Sequence, residues 1–465
     1  MKNSSSAECG WRRLGVRPDL LGVHRARPDR YPFLLESVER GGERARFDIL
    51  FAFPQGRLAL HPAGRLSSDV VELAGSDFLD HLDKWMAQTG APVGAPPPVP
   101  FFGGWFVYLG YELVAQTEPS VCPPIGRDHH AVAEAHRVPA AMIRDHRSGD
   151  TVLVAESGHR HCLDEMEQDL RLVAADDDGA PGGPASAAAA VLQEEPASKF
   201  LDGVERIKRY IHDGDVFQVN LSRAWRGRLA DGVAAADVYA RLRATNPAPF
   251  AGLAVFEQRA VASSSPERLV SIAGGTVQTR PIAGTYPRNP DRDEDRALSQ
   301  ALLAHPKERA EHIMLIDLER NDLGRVCQTG SIEVNELMAL ESYTHVHHIV
   351  SNVRGRLRAD VTPGQVIRAV FPGGTITGCP KVRCMEIIAE LEGQSRGAYT
   401  GAFAYFNRDG SGDSNILIRT ISIDGEDVEV RAGAGIVADS CPRRELDETR
   451  QKARGPLAAL AGLLK

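Results

Sequence analysis

The chain has 465 residues, 43% hydrophobic and 25% charged, with a formal net charge of −8. That balance suits a globular enzyme built as one large core or two to three ordinary domains. No apolar run approaches the ~20 residues of a membrane span, and the acidic balance speaks against nucleic-acid binding.

The seven cysteines are scattered and lack Cys-x-x-Cys spacing, which argues against a disulfide framework and a structural zinc site. With no apolar signal segment at the start, the expected compartment is a reduced cytoplasm. An anionic ligand would then need local positive charge.

In chain order, Phe47–Phe53 reads as a buried strand stopped by Pro54 and Gly56. Three prolines, 96–98, lead into the aromatic, glycine-punctuated stretch Phe101–Tyr111. Between Ala174 and Ser198 the composition shifts to Ala, Asp, Gly, Pro and Ser, the mark of a linker or mobile loop. A helix is expected over Lys199–Asp213, with Phe200, Val204, Ile207 and Ile211 at helical spacing. A more β-rich region with interspersed helices follows. The chain thus divides into an amino-terminal region 1–173, the segment 174–198 and a carboxy-terminal region 199–465, with sheets shared between the two regions.

Two acidic helical turns stand out, Lys307–His312 and Glu445–Lys452. In each, two glutamates lie three residues apart (Glu308 and Glu311, Glu445 and Glu448), so both carboxylates share one helix face. If the faces converge, like charges about 4 Å apart repel by roughly 4 kcal/mol per pair at an effective dielectric of 20. Such a cluster calls for a cation, and oxygen-only ligation suits Mg²⁺; apart, the turns are two solvated faces.

The stretch Phe371-Pro-Gly-Gly-Thr-Ile-Thr-Gly-Cys-Pro-Lys is turn-rich and feeds a helix, but Cys379-Pro380 after Gly378 replaces the Lys-Ser/Thr of a phosphate loop. It suits an anion such as a carboxylate at a helix start, with Cys379 read as packing. Arg431-Ala-Gly-Ala-Gly-Ile reads as a strand end whose glycines permit close backbone approach. In His345-Val-His-His348, strand alternation separates His347 from His348, which favours one catalytic imidazole over a metal site.

These segments, with Gly214-Asp-Val-Phe-Gln-Val-Asn-Leu-Ser-Arg, Ser263-Ser-Ser-Pro-Glu-Arg, Arg280-Pro-Ile-Ala-Gly-Thr and Arg320-Asn-Asp-Leu-Gly-Arg, resemble the chorismate-utilising enzymes, component I of anthranilate synthase and of aminodeoxychorismate synthase. The resemblance runs from about Pro32 to the end and is strongest after Lys199. It implies an α+β fold of two large antiparallel sheets packed as a sandwich and flanked by helices, with region 199–465 holding the chorismate site. It further implies Mg²⁺ near Glu308, Glu311, Glu445 and Glu448. The substrate would be held by Gly284, Thr285, Thr375, Tyr399, Arg419, Gly433, Gly435 and Lys452. Glu267 would be the general acid and His348 a catalytic or positioning imidazole.

Relatives that add water carry a lysine base where this chain has Gln218, so ammonia is the expected nucleophile. The chain lacks a glutaminase segment, which implies a separate glutamine amidotransferase subunit. Ala283 resembles the anthranilate synthases, as does Ala432-Gly-Ala-Gly; aminodeoxychorismate synthases typically carry there a lysine that attacks C2. Arg46-Phe-Asp-Ile-Leu, Asn246-Pro-Ala-Pro-Phe-Ala, Asn220, His347 and Gly373-Gly374 resemble the aminodeoxychorismate branch instead. The majority implies that branch, in a subtype without the lysine, with the anthranilate branch as the alternative. Ser37, Pro247 and Phe250 mark an altered form of the tryptophan site of relatives, so weak or absent tryptophan inhibition is expected.

Overall fold

The structure, a computed structural model, describes residues 9–38, 46–92, 94–126, 130–175, 192–289, 291–342 and 346–465, without the side chains of residues 174, 175, 283, 285, 287, 306, 307 and 346. Most of the expected linker, 176–191, lies outside this set, as does His345.

The strand Phe47–Ala52 shows how the layers arise. Alternate side chains face opposite ways along it: Ile49 and Phe51 enter one apolar cluster, Leu50 and Ala52 another. Phe53, expected as its last residue, instead has φ 58°. There the chain leaves one sheet, and the next strand, Gln55–Leu60, belongs to the other.

The first sheet has 12 strands among the described residues and the second 11. The pairings are antiparallel, and each sheet draws strands from both halves of the sequence. Between them Phe33 stacks on Phe106 with ring centroids 4.2 Å apart, and Phe51 meets Phe101 edge-on. Fully burying each such ring stabilises by about 1.5–3 kcal/mol, which makes this aromatic layer the seam of the sandwich.

Helices cover the outer faces. Pro442–Leu460 and Ala235–Thr245 pack on the first sheet, Phe78–Thr89 and Pro363–Val370 on the second. The helix expected at 199–213 spans Ala197–His212 and buries Phe200, Val204 and Ile207. It packs with Lys381–Glu392 against the strands Gln218–Arg228 and Asp427–Ile436. The expected α+β sandwich is the fold observed. No helix among the described residues is long and apolar enough to cross a membrane.

Candidate active site

The acid expected at Glu267 stands just before the strand Arg268–Ala273. It is 6% exposed, and the Thr375 hydroxyl donates to its Oε1 at 2.7 Å. Burial pushes this carboxyl up to about 7, with Thr375, Lys452 and Arg419 pulling the other way. It is therefore an acid that can hold a proton near neutral pH. Thr375 sits in the short turn Gly374–Ile376 of the glycine-rich segment, which four residues separate from the helix Lys381–Glu392.

On the adjoining strand pair, Gln218–Arg228 against Asp427–Ile436, Gly435 pairs with Asn220 and Gly433 with Ser222. Alternation sends Val219 and Leu221 into the helix-side core and leaves Gln218 and Asn220 on the opposite face. A Cβ on Gly433 would lie 2.5 Å from Asn220 Oδ1 and 2.7 Å from the Tyr399 hydroxyl; one on Gly435 would lie 2.3 Å from Gln218 Nε2. At Gly433 the Leu221 backbone carbonyl, 2.8 Å from the same Cβ, also excludes a side chain, whereas at Gly435 only the end of the Gln218 side chain would have to move. Lys452 Nζ donates to the Gly433 carbonyl at 3.1 Å and pairs with Glu448 at 2.8 Å. The amide oxygens of Gln218 and Asn220 are buried without a hydrogen-bond partner among the described residues.

His348 is buried on the strand Val346–Arg356. Burial first, then the positive charge of Arg419, lowers it to about 4, so the ring is neutral at pH 7 and can accept or relay a proton. It lies against the Gly284 backbone, and a Cβ on Gly284 would stand 2.9 Å from Glu308 Oε2. His347, on the other face, bonds Ser342 at 2.8 Å and Asp295 at 2.9 Å. The backbones of Ala283 and Thr285 pair with Ile349 and His348; their side chains lie outside the described residues. Arg419 has φ 52°, a conformation costing about 1–3 kcal/mol at a residue whose charge reaches both Glu267 and His348.

The structure therefore brings together Glu267, Thr375, Arg419, Lys452, Gly433, Tyr399, Gln218, Gly435, His348, Gly284 and Glu308. The acidic turns do fall on helices, Pro306–Gly324 and Pro442–Leu460, each begun by proline in its first turn. Glu308, Glu311, Glu445 and Glu448 are half-buried. Among the described residues, however, no three His, Cys, Asp or Glu side chains are grouped to hold a metal ion. The convergence of four carboxylates is thus not seen: like charges repel, and Glu448 is paired with Lys452. The donor chemistry still fits Mg²⁺, which takes hard oxygen ligands, binds through one or two carboxylates and keeps several waters.

Ser37 and Phe250 line a cavity of about 270 Å³ with Glu36, Arg46, Arg268 and Tyr405, but Pro247 is not on its wall. The Ser37 amide donates to Asp48 at 2.8 Å and its hydroxyl to the Pro249 carbonyl at 3.3 Å.

Sequence reading missed two buried networks. Glu392 takes Arg396 at 2.6 Å and Arg431 at 3.0 Å, all three almost fully buried. Arg396 also donates to the carbonyls of Ile376 and Asn220 and lies over the rings of Tyr111 and Tyr399. It thereby ties the glycine-rich turn to the opposite strand. The other network, Glu319, Asp322 and Lys381, lies under the same turn. Its signal was the continued acidic spacing beyond Glu311 on one helix.

Comparison with known proteins gives the family. A family model described as chorismate binding enzyme matches residues 32–458. The chain is 39% identical over 454 residues to anthranilate synthase component 1 of Streptomyces coelicolor, covering 93% of this chain and 84% of that one. It is 50% identical over 254 residues to aminodeoxychorismate synthase component 1 of Bacillus subtilis, covering 55% and 54%. The crystal structure of anthranilate synthase component I from Streptococcus pneumoniae TIGR4 superposes with a TM-score of 0.77 at 31% identity, covering 90% of this chain and 93% of that one. The chain belongs to the chorismate-binding enzyme family and is anthranilate synthase component I-like.

Proposed function

We propose that this chorismate-utilising enzyme is component I of an aminodeoxychorismate synthase, making 4-amino-4-deoxychorismate for p-aminobenzoate and folate synthesis. Its ammonia would come from a separate glutamine amidotransferase subunit. The observation that carries the choice of nucleophile is the neutral amide of Gln218, packed against Gly435, where relatives that add water carry a lysine base. A neutral amide cannot deprotonate water, but its oxygen accepts an N–H from ammonia.

Arg419 and Lys452 supply the local positive charge that a dicarboxylate needs, Arg419 in a planar fork and Lys452 as a point charge. Tyr399, Thr375, Thr285 and the Gly433–Gly435 backbone complete the cradle. Glu308, Glu311, Glu445 and Glu448 would hold Mg²⁺, which neutralises and anchors a substrate carboxylate.

Ammonia attacks C2 of the ring in place of the lysine that Ala283 replaces. The C2–N bond forms and the C4–O bond breaks. Glu267 protonates the departing hydroxyl, which leaves as water, and the new ammonium group returns a proton to the site. A second ammonia then adds at C4 and expels the C2 amine, so one ammonia is consumed and one water released per turnover. The pyruvyl group stays on the ring throughout.

The alternative, anthranilate synthase component I, is favoured by Ala283 and by the name of the Streptomyces relative that matches 93% of this chain. Against it stands the 50% identity to the Bacillus aminodeoxychorismate synthase component over the part that matches. Purified protein with chorismate, Mg²⁺ and ammonium salt should yield p-aminobenzoate only after an aminodeoxychorismate lyase is added, and EDTA should stop turnover. Anthranilate fluorescence without the lyase would sink this reading in favour of the alternative.

The cavity at Ser37 leads to a second expectation. Its serine donors are spent on Asp48 and Pro249, so tryptophan should bind no tighter than about 1 mM and should not inhibit. Micromolar binding by calorimetry would contradict this.

A further inference from the structure

The strand Val346–Arg356 carries two adjacent histidines, and only His348 belongs to the site described above. His347 lies on the opposite face, is 3% exposed, and uses both ring nitrogens. Its Nε2 bonds Asp295 Oδ1 at 2.9 Å and its Nδ1 the Ser342 hydroxyl at 2.8 Å. A carboxylate only accepts, so the imidazole donates to Asp295. Ser342 stands opposite His347 on the neighbouring strand Glu333–Ser342, whereas Asp295 comes from the helix Arg292–Ala304. The His347–Asp295 bond therefore ties that helix to the strand bearing His348.

The helix has little else to hold it. Of its 13 residues only Ser299 and Leu302 are buried, and Leu302 lies near the end remote from Asp295. Arg288 and the Asn289 amide also bind Asp295 at 2.9–3.0 Å, but both belong to the connection leading into the helix.

Leu302 packs on the Gly284 backbone, its Cδ1 2.8 Å from where a Cβ on that glycine would stand. Gly284 lies at a β-bulge, where the register shifts between Ala283 and Thr285. Its φ of 67° is the left-handed conformation that glycine adopts at such bulges. With no side chain of its own, this residue is fixed only by its neighbours. One of them is Leu302; another is the ring of His348, which bonds the Gly284 backbone. The contacts close a circuit: His347 to Asp295, along the helix to Leu302, on to Gly284, and back to His348.

We propose that His347 is a positioning residue. By tethering the helix Arg292–Ala304 it keeps Leu302 against Gly284, and so holds the His348 ring and the Gly284–Thr285 backbone in the geometry the site uses. This rests on the reading of His348 and Gly284 as parts of the chorismate site. His347 acts only through the helix.

The first test is kcat/KM with chorismate and ammonium salt in the wild type, His347→Gln, His347→Leu, Leu302→Ala and the double variant His347→Leu/Leu302→Ala. Glutamine offers an amide N–H in place of the imidazole Nε2–H and should keep most of the rate. Leucine keeps the bulk without the bond and should lose about tenfold, the scale of a small misplacement relayed to a site. Leu302→Ala should lose a similar factor. The double variant should be no slower than the worse single one, because both substitutions release the same helix. Losses that multiply, or wild-type rates in His347→Leu, overturn the proposal.

Two further measurements need no turnover. Hydrogen–deuterium exchange of the amides of residues 296–304 should be about tenfold faster in His347→Leu than in the wild type or His347→Gln. The imidazole N–H resonance of His348 should shift or vanish in Leu302→Ala, a substitution remote from that strand in sequence. Unchanged exchange breaks the first half of the circuit and an unchanged His348 resonance the second; either result rules the proposal out. If the wild type consumes no chorismate, the functional reading fails. Exchange and resonance then still decide whether His347 holds the helix and the helix holds His348.

Discussion

Glu267→Gln is expected to lower kcat with chorismate and ammonia by about 10²–10⁴-fold, the usual worth of a positioned general acid. The same substitution should make the protein more stable at alkaline pH. The Glu267 carboxyl is raised from 4.5 to about 7, chiefly by burial. The folded state therefore binds more protons than the unfolded state between those values, and stability falls as pH rises through that window. At about 1.4 kcal/mol per pKa unit, the ionised carboxyl costs about 3 kcal/mol above pH 7.

Glutamine keeps the shape and an acceptor for Thr375 but never ionises. Urea unfolding should thus show the variant more stable than wild type at pH 8, by up to about 3 kcal/mol, and equal to it near pH 4. Full activity in Glu267→Gln would remove this residue from the chemistry. Equal stability at both pH values would mean that its charge is not buried in solution.

The second large effect is expected at Glu392→Gln. Burial alone would raise the Glu392 carboxyl, but Arg396 and Arg431 override it and hold it below the usual range. It is therefore ionised throughout the neutral range. Removing its charge leaves two guanidinium groups, each with a side chain about 1% exposed, Arg396 without a counter-ion and Arg431 with only Glu429 at 3.8 Å. Breaking a buried pair in this way costs about 3–5 kcal/mol.

The loss should also reach the site, because Arg396 holds the carbonyls of Ile376 and Asn220 and supports the Tyr399 ring. A raised KM for chorismate should accompany the lower unfolding free energy. A stability change under about 1 kcal/mol would show that the carbonyls and the Ser222 hydroxyl suffice for the two arginines.

These two predictions differ in how far they were legible in the sequence. Glu267 could be named from the Ser-Pro-Glu-Arg segment by resemblance, and its Thr375 partner from the glycine-rich turn. Their hydrogen bond could not, because 108 residues separate them. Nothing in the spacing of Glu392, Arg396 and Arg431 announces a buried triad. Glu392 and Arg396 lie four apart, but Arg396 falls beyond the helix that Gly393 caps in a left-handed conformation. The acidic turns show the opposite case, since the helices were read correctly while the meeting of their four carboxylates was not observed.

What the sequence alone determined is whatever depends on spacing within one element. The helix expected at 199–213 and found at 197–212, the strand expected at 47–53 and found at 47–52, the shared face of Glu308 and Glu311 and the separation of His347 from His348 all follow from periods of 3.6 and 2, which backbone hydrogen bonding imposes locally. Tertiary structure decided which residues meet. Strand register places Asn220 opposite Gly435, and the packing of the helix Pro306–Gly324 under the turn sets Glu319 against Gly374. Those encounters depend on burying apolar faces of elements far apart in the chain. Hydrophobic burial is non-directional, so local pattern cannot specify which distant polar groups it will bring together.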